Sequence, residues 1–301
     1  MPLRRLTILL TVVLAVPKMV IADEGLPESL IRIPESISTV FIAETATARF
    51  HRFDRSNDEM TLSGSYYMSI GKEGAGKQKS GDKRTPFGAY FVTEQLDTSK
   101  LHRKYGVTAF PLDYPNALDL RANRDGDGIW VHGVDPAGGK RPVRDTDGCI
   151  ALSNEDLAAL APMFEENTTP VLVTREVNWK QTADTEALRT ELASAVEQWA
   201  KSRAEGDLHA YLSLYDSEFN RWGLSRREWS SLILQTDRLR SIQSVTVSEL
   251  LLVAYPEEDG VYLSRFVQAV VKDGHEVTTT ARLYWRRDSD GELKIIAEGR
   301  G

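Results

Sequence analysis

Two residues of the sequence have the types that nucleophilic catalysis by a thiol needs. Cys149 is the only cysteine among the 301 residues, and His132 lies upstream at the end of the apolar run 129–131. A thiol and an imidazole on different elements can serve as nucleophile and general base. A free cysteine is also one of the most often buried residue types, so a structural role is the alternative. Gly148 favours catalysis, because a glycine lets the backbone approach a substrate closely.

The segments that flank these residues predict the elements that would position them. Residues 129–131 have the character of a buried strand that ends at His132, and residues 150–157 indicate a short strand followed by a capped helix. Cleaving an amide with a thiol also requires hydrogen-bond donors for the negative charge that develops on the carbonyl oxygen. The backbone N–H groups of Gly148 and Cys149 are predicted to form this oxyanion hole.

Together these residues resemble the catalytic motif of the YkuD-type L,D-transpeptidase family, in which His-Gly is followed by a loop and then by Ser/Thr-any-Gly-Cys. The resemblance continues upstream in residues 68–71 and 81–88, and it covers about residues 38–175. It implies a thiol-dependent peptidase or acyltransferase that acts on peptidoglycan stem peptides. Such an enzyme would cleave the L,D bond next to diaminopimelate through an acyl-enzyme.

The residue types and the resemblance together assign roles. Cys149 is predicted to be the nucleophile and His132 the general base and acid, since an imidazole pKa of about 6.5 permits both roles. The imidazole ring needs a third group to orient it. The resemblance implies that the backbone carbonyl of Gly133 does this, and the carboxylate of Asp135 is the side-chain alternative.

Three cations lie in the loop between the histidine and the cysteine. Lys140, Arg141 and Arg144 are predicted to bind the free carboxylate of the diaminopimelate residue, because an acidic protein needs local positive charge for that purpose. The alternative is that they are ordinary solvated surface charges. Many members of the family have an arginine two positions after the cysteine, where this chain has Ala151, so any substrate contact of that arginine is missing here.

The N-terminus has the form of an export signal, which predicts a periplasmic location. Arg4 and Arg5 precede the apolar residues 6–16, and a small-residue cleavage site ends at Ala22, so residues 1–22 are the predicted signal peptide. An uncleaved membrane anchor is the alternative. The net charge of −7 argues against nucleic acid as a partner.

Two motifs that suggest other ligands are rejected. Residues 71–77 match the phosphate-binding pattern G-x-x-x-x-G-K, but Gln78 stands where Ser or Thr is required. Residues 121–128 are rich in aspartate and glycine but lack the later ligands of a calcium loop, so they predict a turn. We therefore expect no metal and no cofactor.

The chain is predicted to contain two folded domains. The resemblance implies that residues 36–176 form a mostly β catalytic domain, a YkuD-like β-sandwich with short helices. Residues 184–301 predict an α+β cone in which helices precede an antiparallel sheet. The predicted strands are residues 40–43, 47–53, 64–70, 89–93 and 169–173 in the first domain, and 241–253, 261–272, 276–286 and 293–298 in the second. The predicted helices are residues 154–165 and three that begin near residues 185, 206 and 225.

The second domain resembles the NTF2-like superfamily, notably in residues 205–208 followed by Tyr211, Tyr215 and Phe219. Folds of this kind host pockets, dimer interfaces and enzymes alike. A sugar, a lipoprotein, a protein partner or a second copy of the chain are therefore the partners considered for it. The residues expected at the mouth of the cone are Arg221, Trp222, Arg226, Arg227 and Trp229.

The combination of the two domains resembles the cell-shape L,D-carboxypeptidases of curved and helical bacteria. It therefore favours hydrolysis, which trims a tetrapeptide stem to a tripeptide. The same acyl-enzyme would form 3-3 crosslinks with another stem peptide, or attach or release a lipoprotein. The alternative from a different functional class is that the protein is a non-catalytic cell-wall-binding module.

Overall fold

The computed structural model describes residues 26–57, 59–139, 141–180, 185–221, 223–235 and 242–300. The predicted signal peptide, Lys140 and Trp222 lie outside the described residues. None of the described helices combines the length and apolar character that a membrane span requires.

The described residues form short strands in the first half of the chain and longer ones in the second. The strands are β1 (Leu26–Pro27), β2 (Leu30–Arg32), β3 (Thr39–Glu44), β4 (Arg49–Ser56), β5 (Glu59–Gly71), β6 (Gly88–Phe91), β7 (Ala109–Pro111), β8 (Trp130–His132), β9 (Arg144–Thr146), β10 (Ile150–Leu152), β11 (Pro170–Thr174), β12 (Trp179–Lys180), β13 (Asn220–Arg221), β14 (Leu224–Ser225), β15 (Ile242–Ala254), β16 (Val261–Lys272), β17 (His275–Arg287) and β18 (Leu293–Arg300). The helices are α1 (Ala117–Arg121), α2 (Asn154–Leu160), α3 (Glu186–Ala204), α4 (Leu208–Ser213) and α5 (Arg226–Gln235), with 3-10 turns at Thr98–Lys100, Arg103–Tyr105 and Ala161–Met163.

The first domain is built on one curled sheet with the strand order β6-β11-β3-β4-β5-β10-β8-β7, and β9 pairs with β5 outside this order. A register shift at Arg52–Phe53 between β4 and β5 adds to the twist of the sheet. Aromatic side chains form part of the core packed against it, where the ring of Phe164 stacks on those of Phe41 and Phe110 at 4.5 and 4.3 Å. The two strands that flank the predicted site, β8 and β10, are parallel neighbours in this sheet.

The second domain packs α3, α4 and α5 against a sheet with the order β18-β17-β16-β15-β2. Trp285 is fully buried in it, and its Nε1–H donates to the Ser264 hydroxyl at 2.8 Å. Ser225 and Glu228 form a capping box at the start of α5, with Ser225 N–H donating to Glu228 at 2.8 Å and Glu228 N–H donating to the Ser225 hydroxyl at 3.4 Å. The predicted fold class, a mostly β domain followed by an α+β domain, is confirmed.

The segment before the catalytic domain contributes to the second domain. Leu30 and Arg32 of β2 pair with Val253 and Leu252 of β15, so this strand forms an edge of the second domain's sheet. No strand was predicted here, because a three-residue strand has no periodicity of its own and its partner lies far away in the chain.

A single hydrophobic cluster joins the two domains. Phe53, Phe91 and Leu172 of the first domain are buried in the same cluster as Leu251 and Tyr284 of the second. The predicted boundaries, residues 36–176 and 184–301, stay predictions, but the surfaces between the two units are packed as one core.

Candidate active site

Cys149 and His132 are brought together by the pairing of β8 with β10. His132 is the last residue of β8, and its register partner across the parallel pair is Ala151 of β10. Side chains alternate between faces along a strand, and register partners share a face. Cys149 lies one residue before β10 and two positions before Ala151, so the same alternation, continued one residue beyond the strand, predicts that it lies on the His132 face.

His132 is held in one tautomer. Its Nδ1 lies 2.5 Å from the backbone oxygen of Gly133, which can only accept, so Nδ1 donates and Nε2 carries the lone pair. The residue is only 4% exposed. Burial lowers the pKa of His132 to about 4; the bond to Gly133 opposes this, and the charges of Arg141 and Lys104 add to it. The imidazole is therefore neutral near neutral pH.

Asn154, the first residue of α2, fixes the backbone around Gly133. Its Oδ1 accepts from the N–H groups of Val134 and Val107 at 3.0 and 3.3 Å, and its Nδ2 donates to the oxygen of Val134 at 2.8 Å. A Cβ on Gly133 would lie 2.3 Å from that Oδ1, so the site requires glycine. No sequence pattern points to this role of Asn154, because the contact joins segments that are distant in the chain.

Cys149 has intermediate exposure, and its Sγ donates to the backbone oxygen of Gly128 at 3.3 Å. Burial raises the pKa of the Cys149 thiol, while a hydrogen bond from the Trp130 backbone and the positive charge of Lys104 oppose the rise. The sulfur is therefore a thiol near neutral pH.

The turn before Cys149 is closed by Thr146. The Thr146 hydroxyl donates to the Cys149 oxygen at 2.7 Å and accepts from Gly148 N–H at 3.1 Å. Gly148 has a φ of +133°, and a Cβ there would lie 2.9 Å from the backbone oxygen of Arg84. The requirement for glycine at position 148 is thus explained by its close approach to the protein's own backbone. Its N–H, predicted as an oxyanion donor, already has an acceptor, whereas the Cys149 N–H remains a predicted donor.

The predicted substrate-binding cations differ in their surroundings. Arg141 forms an ion pair with Asp145, and its positive charge lowers the pKa of both His132 and Cys149. Arg144 is exposed, with its guanidinium beside Gly74. Lys140 lies outside the described residues.

A cation and an aromatic pair at the site were not predicted. Lys104 is exposed, and its charge acts on the pKa of both Cys149 and His132. The ring of Tyr105 meets the His132 ring edge-on at 5.2 Å and the Trp130 ring at 4.7 Å. The 3-10 turn that carries Lys104 and Tyr105 has no motif that would mark it in the sequence.

Asp135, the alternative partner for the imidazole, is engaged elsewhere. It forms an ion pair with Arg103 at 2.7 Å and accepts from the N–H of Ala137 at 2.9 Å. The Nδ1–H of His132 instead donates to the Gly133 carbonyl oxygen.

The loop that matched the phosphate-binding pattern has a structural role. Lys77 is 3% exposed, and its Nζ bonds Asp82 at 2.8 Å and the oxygen of Lys79 at 2.9 Å. Asp82 also accepts from three backbone N–H groups of the same loop. Among the described residues, no group of three or more His, Cys, Asp or Glu could hold a metal ion.

The second domain contains a separate cavity of about 330 Å³. Two of the residues expected at the mouth of the cone, Arg221 and Trp229, line it. Arg226 instead donates to the Leu212 oxygen at 2.9 Å, and Arg227 is exposed.

Comparisons with known proteins match both parts of the chain. Residues 39–173 match the family of the YkuD L,D-transpeptidase catalytic domain, and residues 191–299 match the Cds6 C-terminal NTF2-like domain. A search of the curated proteins gives no match.

Two solved structures share the whole arrangement. Bd1075 of Bdellovibrio bacteriovorus is 26% identical, with a TM-score of 0.73, over 92% of this chain and 98% of that one. The helical cell shape determining protein Pgp2 from Campylobacter jejuni is 23% identical, with a TM-score of 0.76, over 92% and 96%. The chain thus joins a catalytic domain of the YkuD L,D-transpeptidase family to an NTF2-like domain of the Cds6 C-terminal type.

Proposed function

We propose that this protein is a cysteine peptidase that cleaves the L,D bond next to diaminopimelate in peptidoglycan stem peptides and passes the acyl group to water. Its activity is then that of an L,D-carboxypeptidase, which trims a tetrapeptide stem to a tripeptide. The observation that carries the proposal is the pairing of β8 with β10 in a YkuD-family domain. This pairing supports a shared face for Cys149 and His132, and Nδ1 of the imidazole is held by Gly133.

The first half of the reaction forms a thioester. The Cys149 thiol attacks the carbonyl carbon of diaminopimelate as its proton moves to Nε2 of His132. The Cys149 N–H donates to the oxyanion that develops. His132 then gives the proton to the leaving nitrogen, the carbon–nitrogen bond breaks, and the terminal D-amino acid departs.

The second half returns the enzyme to its starting state. His132 takes a proton from water, and the resulting hydroxide attacks the thioester carbonyl. The carbon–sulfur bond breaks, the proton returns to the Cys149 sulfur, and the trimmed peptide leaves with a new carboxylate. Another stem peptide in place of water gives a 3-3 crosslink, and a lipoprotein lysine gives attachment or, in reverse, release.

We propose water as the acyl acceptor because of the two-domain arrangement. The same arrangement occurs in a protein named for determining helical cell shape, and trimming of stem peptides is a route to local changes in the wall. A YkuD-family domain that acts on the wall must lie outside the cytoplasmic membrane. We therefore place the protein in the periplasm, with residues 1–22 as its export signal.

Product analysis tests this proposal. Purified disaccharide tetrapeptide, alone and with an excess of acceptor tripeptide, is incubated with the protein and analysed by mass spectrometry. We expect tripeptide and free D-amino acid in equal amounts, and no 3-3 dimer. Dimer as the main product would establish transpeptidation, and no product at all would favour the wall-binding module.

A further inference from the structure

The loop that supplies the hydrogen-bond acceptor for the Cys149 thiol has a partly buried arginine, Arg124, among its anchors. This loop, residues 121–128, runs from the end of α1 to β8 and ends at Gly128, whose oxygen accepts from Sγ. Both Gly126 and Gly128 have positive φ angles, so the loop's shape depends on its anchors. Charged side chains anchor the loop at three positions: Arg121 pairs with Glu218 at 3.5 Å, the Asp125 carboxylate accepts from the Ser80 N–H at 2.5 Å, and Arg124 is the less exposed of the two arginines, at 14%.

Arg124 is held from both domains at once. Its Nε donates to Asp119 at 2.8 Å, and Asp119 is fully buried in the catalytic domain. Its Nη1 donates to Glu258 at 2.9 Å, and Glu258 lies in the turn between β15 and β16 of the second domain. A guanidinium presents donors in a rigid fork, so two carboxylates on different nitrogens fix its plane.

Further contacts carry this restraint towards the active site. The backbone N–H of Arg124 donates to the Asp119 oxygen at 2.9 Å, and the next residue, Asp125, donates from its N–H to Gln78 at 3.1 Å. The Tyr114 hydroxyl donates to the Asp125 oxygen at 2.9 Å. The chain then reaches Gly128 within three residues.

We propose that Arg124 is a positioning residue through which Glu258 of the second domain holds residues 121–128, and with them the Gly128 carbonyl, against the Cys149 thiol. The inference rests on the proposed role of Cys149 as nucleophile. It assigns the second domain a part in positioning the active-site loop, in addition to any partner that the domain binds.

The turn itself offers a matched control. Glu257, next to Glu258, also binds the catalytic domain: it pairs with Arg175 Nε at 3.3 Å and accepts from Thr174 Oγ1 at 3.1 Å. Those residues lie at the end of β11 and just beyond it, not on the loop at Gly128. E258Q and E257Q therefore remove the same charge from the same turn but release different segments.

The expected difference lies in kcat and in thiol reactivity. E258Q should lower kcat on disaccharide tetrapeptide at least fivefold with KM within twofold of the wild type, whereas E257Q should change neither. An acceptor for S–H stabilises the protonated sulfur. Loosening Gly128 in E258Q should therefore move the pH profile of iodoacetamide alkylation of Cys149 towards lower pH. A purely structural role would leave that profile in place.

A double variant tests whether both residues act through the same contact. R124Q should reproduce the kinetic and alkylation changes, and R124Q combined with E258Q should be no worse than R124Q alone. Alkylation needs no peptidoglycan, and Cys149 is the only thiol. It therefore reports on positioning even if the proposed reaction is wrong. E258Q matching E257Q in both kcat and alkylation profile would overturn the inference.

Discussion

Burial sets the protonation states of Cys149 and His132. The pKa of the thiol is raised and that of the imidazole is lowered, so the resting pair is uncharged near neutral pH. Many activated cysteines instead have a lowered pKa, next to a cationic histidine or at a helix N-terminus. In the proposed reaction the thiol therefore loses its proton as it attacks, with His132 as a general base rather than as the cation of a preformed ion pair.

The pH dependence of turnover follows from this arrangement. The imidazole accepts a proton only when it is neutral, and its pKa is lowered to about 4. Activity should therefore fall as the pH drops through about 4, well below the ordinary histidine value of about 6.5. The pH profile of kcat/KM on a soluble muropeptide measures this. An acid limb near the ordinary value would contradict it.

The loop cations should differ in their effect on substrate binding. Losing a hydrogen bond to a charged group costs about 1.5–3 kcal/mol, which corresponds to at least tenfold in efficiency. Arg141→Ala should show this loss, because the Arg141 charge acts on both catalytic groups. Arg144→Ala should stay within twofold, because Arg144 is exposed beside Gly74. Steady-state kinetics of the two single variants tests this difference. Equal losses of efficiency would show that Arg144 also contributes to substrate binding.

The two central residues of the candidate site stand out in the sequence, but the residues that support them do not. Cys149 and His132 stand out because the chain contains one cysteine and a histidine that ends an apolar run. Thr146, Asn154 and Lys104 do not stand out, because an isolated threonine, asparagine or lysine has many ordinary uses. Their roles depend on contacts that exist only once the sheet has formed.

At the scale of elements, α2 links the segment of Cys149 to the segment of His132. It follows β10, the strand next to Cys149, and begins with Asn154, which bonds the backbone beside Gly133. Asn154→Ala would leave the N–H groups of Val134 and Val107 without their acceptor, at a cost of about 1–3 kcal/mol. We expect kcat to fall at least fivefold, because the Gly133 carbonyl that orients His132 loses its support.

The neighbouring residue provides the control. Ser153 caps the same helix by accepting from the Asp156 N–H at 3.0 Å, so Ser153→Ala should cost about 1 kcal/mol of stability and leave kcat unchanged. Kinetics and thermal unfolding of both variants separate positioning from helix stability. Equal kcat values for Asn154→Ala and the wild type would contradict the role of Asn154.

Element positions could be predicted where the pattern is local. The four long strands of the second domain, β15 to β18, were predicted within about three residues at either end, because alternation and turn residues mark them, whereas the two-residue strands β13 and β14 were not predicted. The predicted helix at 154–165 ends instead as α2 and a 3-10 turn at Ala161–Met163, where Pro162 interrupts it. The pairing of β2 with β15 is a long-range contact and leaves no local signal.

At the scale of the whole molecule, the two domains share a core and the restraint at Arg124. A chain that ends at Arg175 would expose Phe53, Phe91 and Leu172, which are buried in the cluster shared with the second domain. We expect this truncated protein to lack a cooperative thermal transition and to bind a hydrophobic dye, as partly folded chains do. A sharp transition without dye binding would show that the catalytic domain folds alone.

The central claim is that Cys149 carries the acyl group, and its direct test is turnover by Cys149→Ala. The substitution removes little volume, so we expect the fold and melting temperature to stay close to those of the wild type. Release of the terminal D-amino acid from disaccharide tetrapeptide is followed by mass spectrometry for both proteins at equal concentration. The account predicts trimming by the wild type and none above background by Cys149→Ala. Trimming by a folded Cys149→Ala protein at the wild-type rate would contradict it.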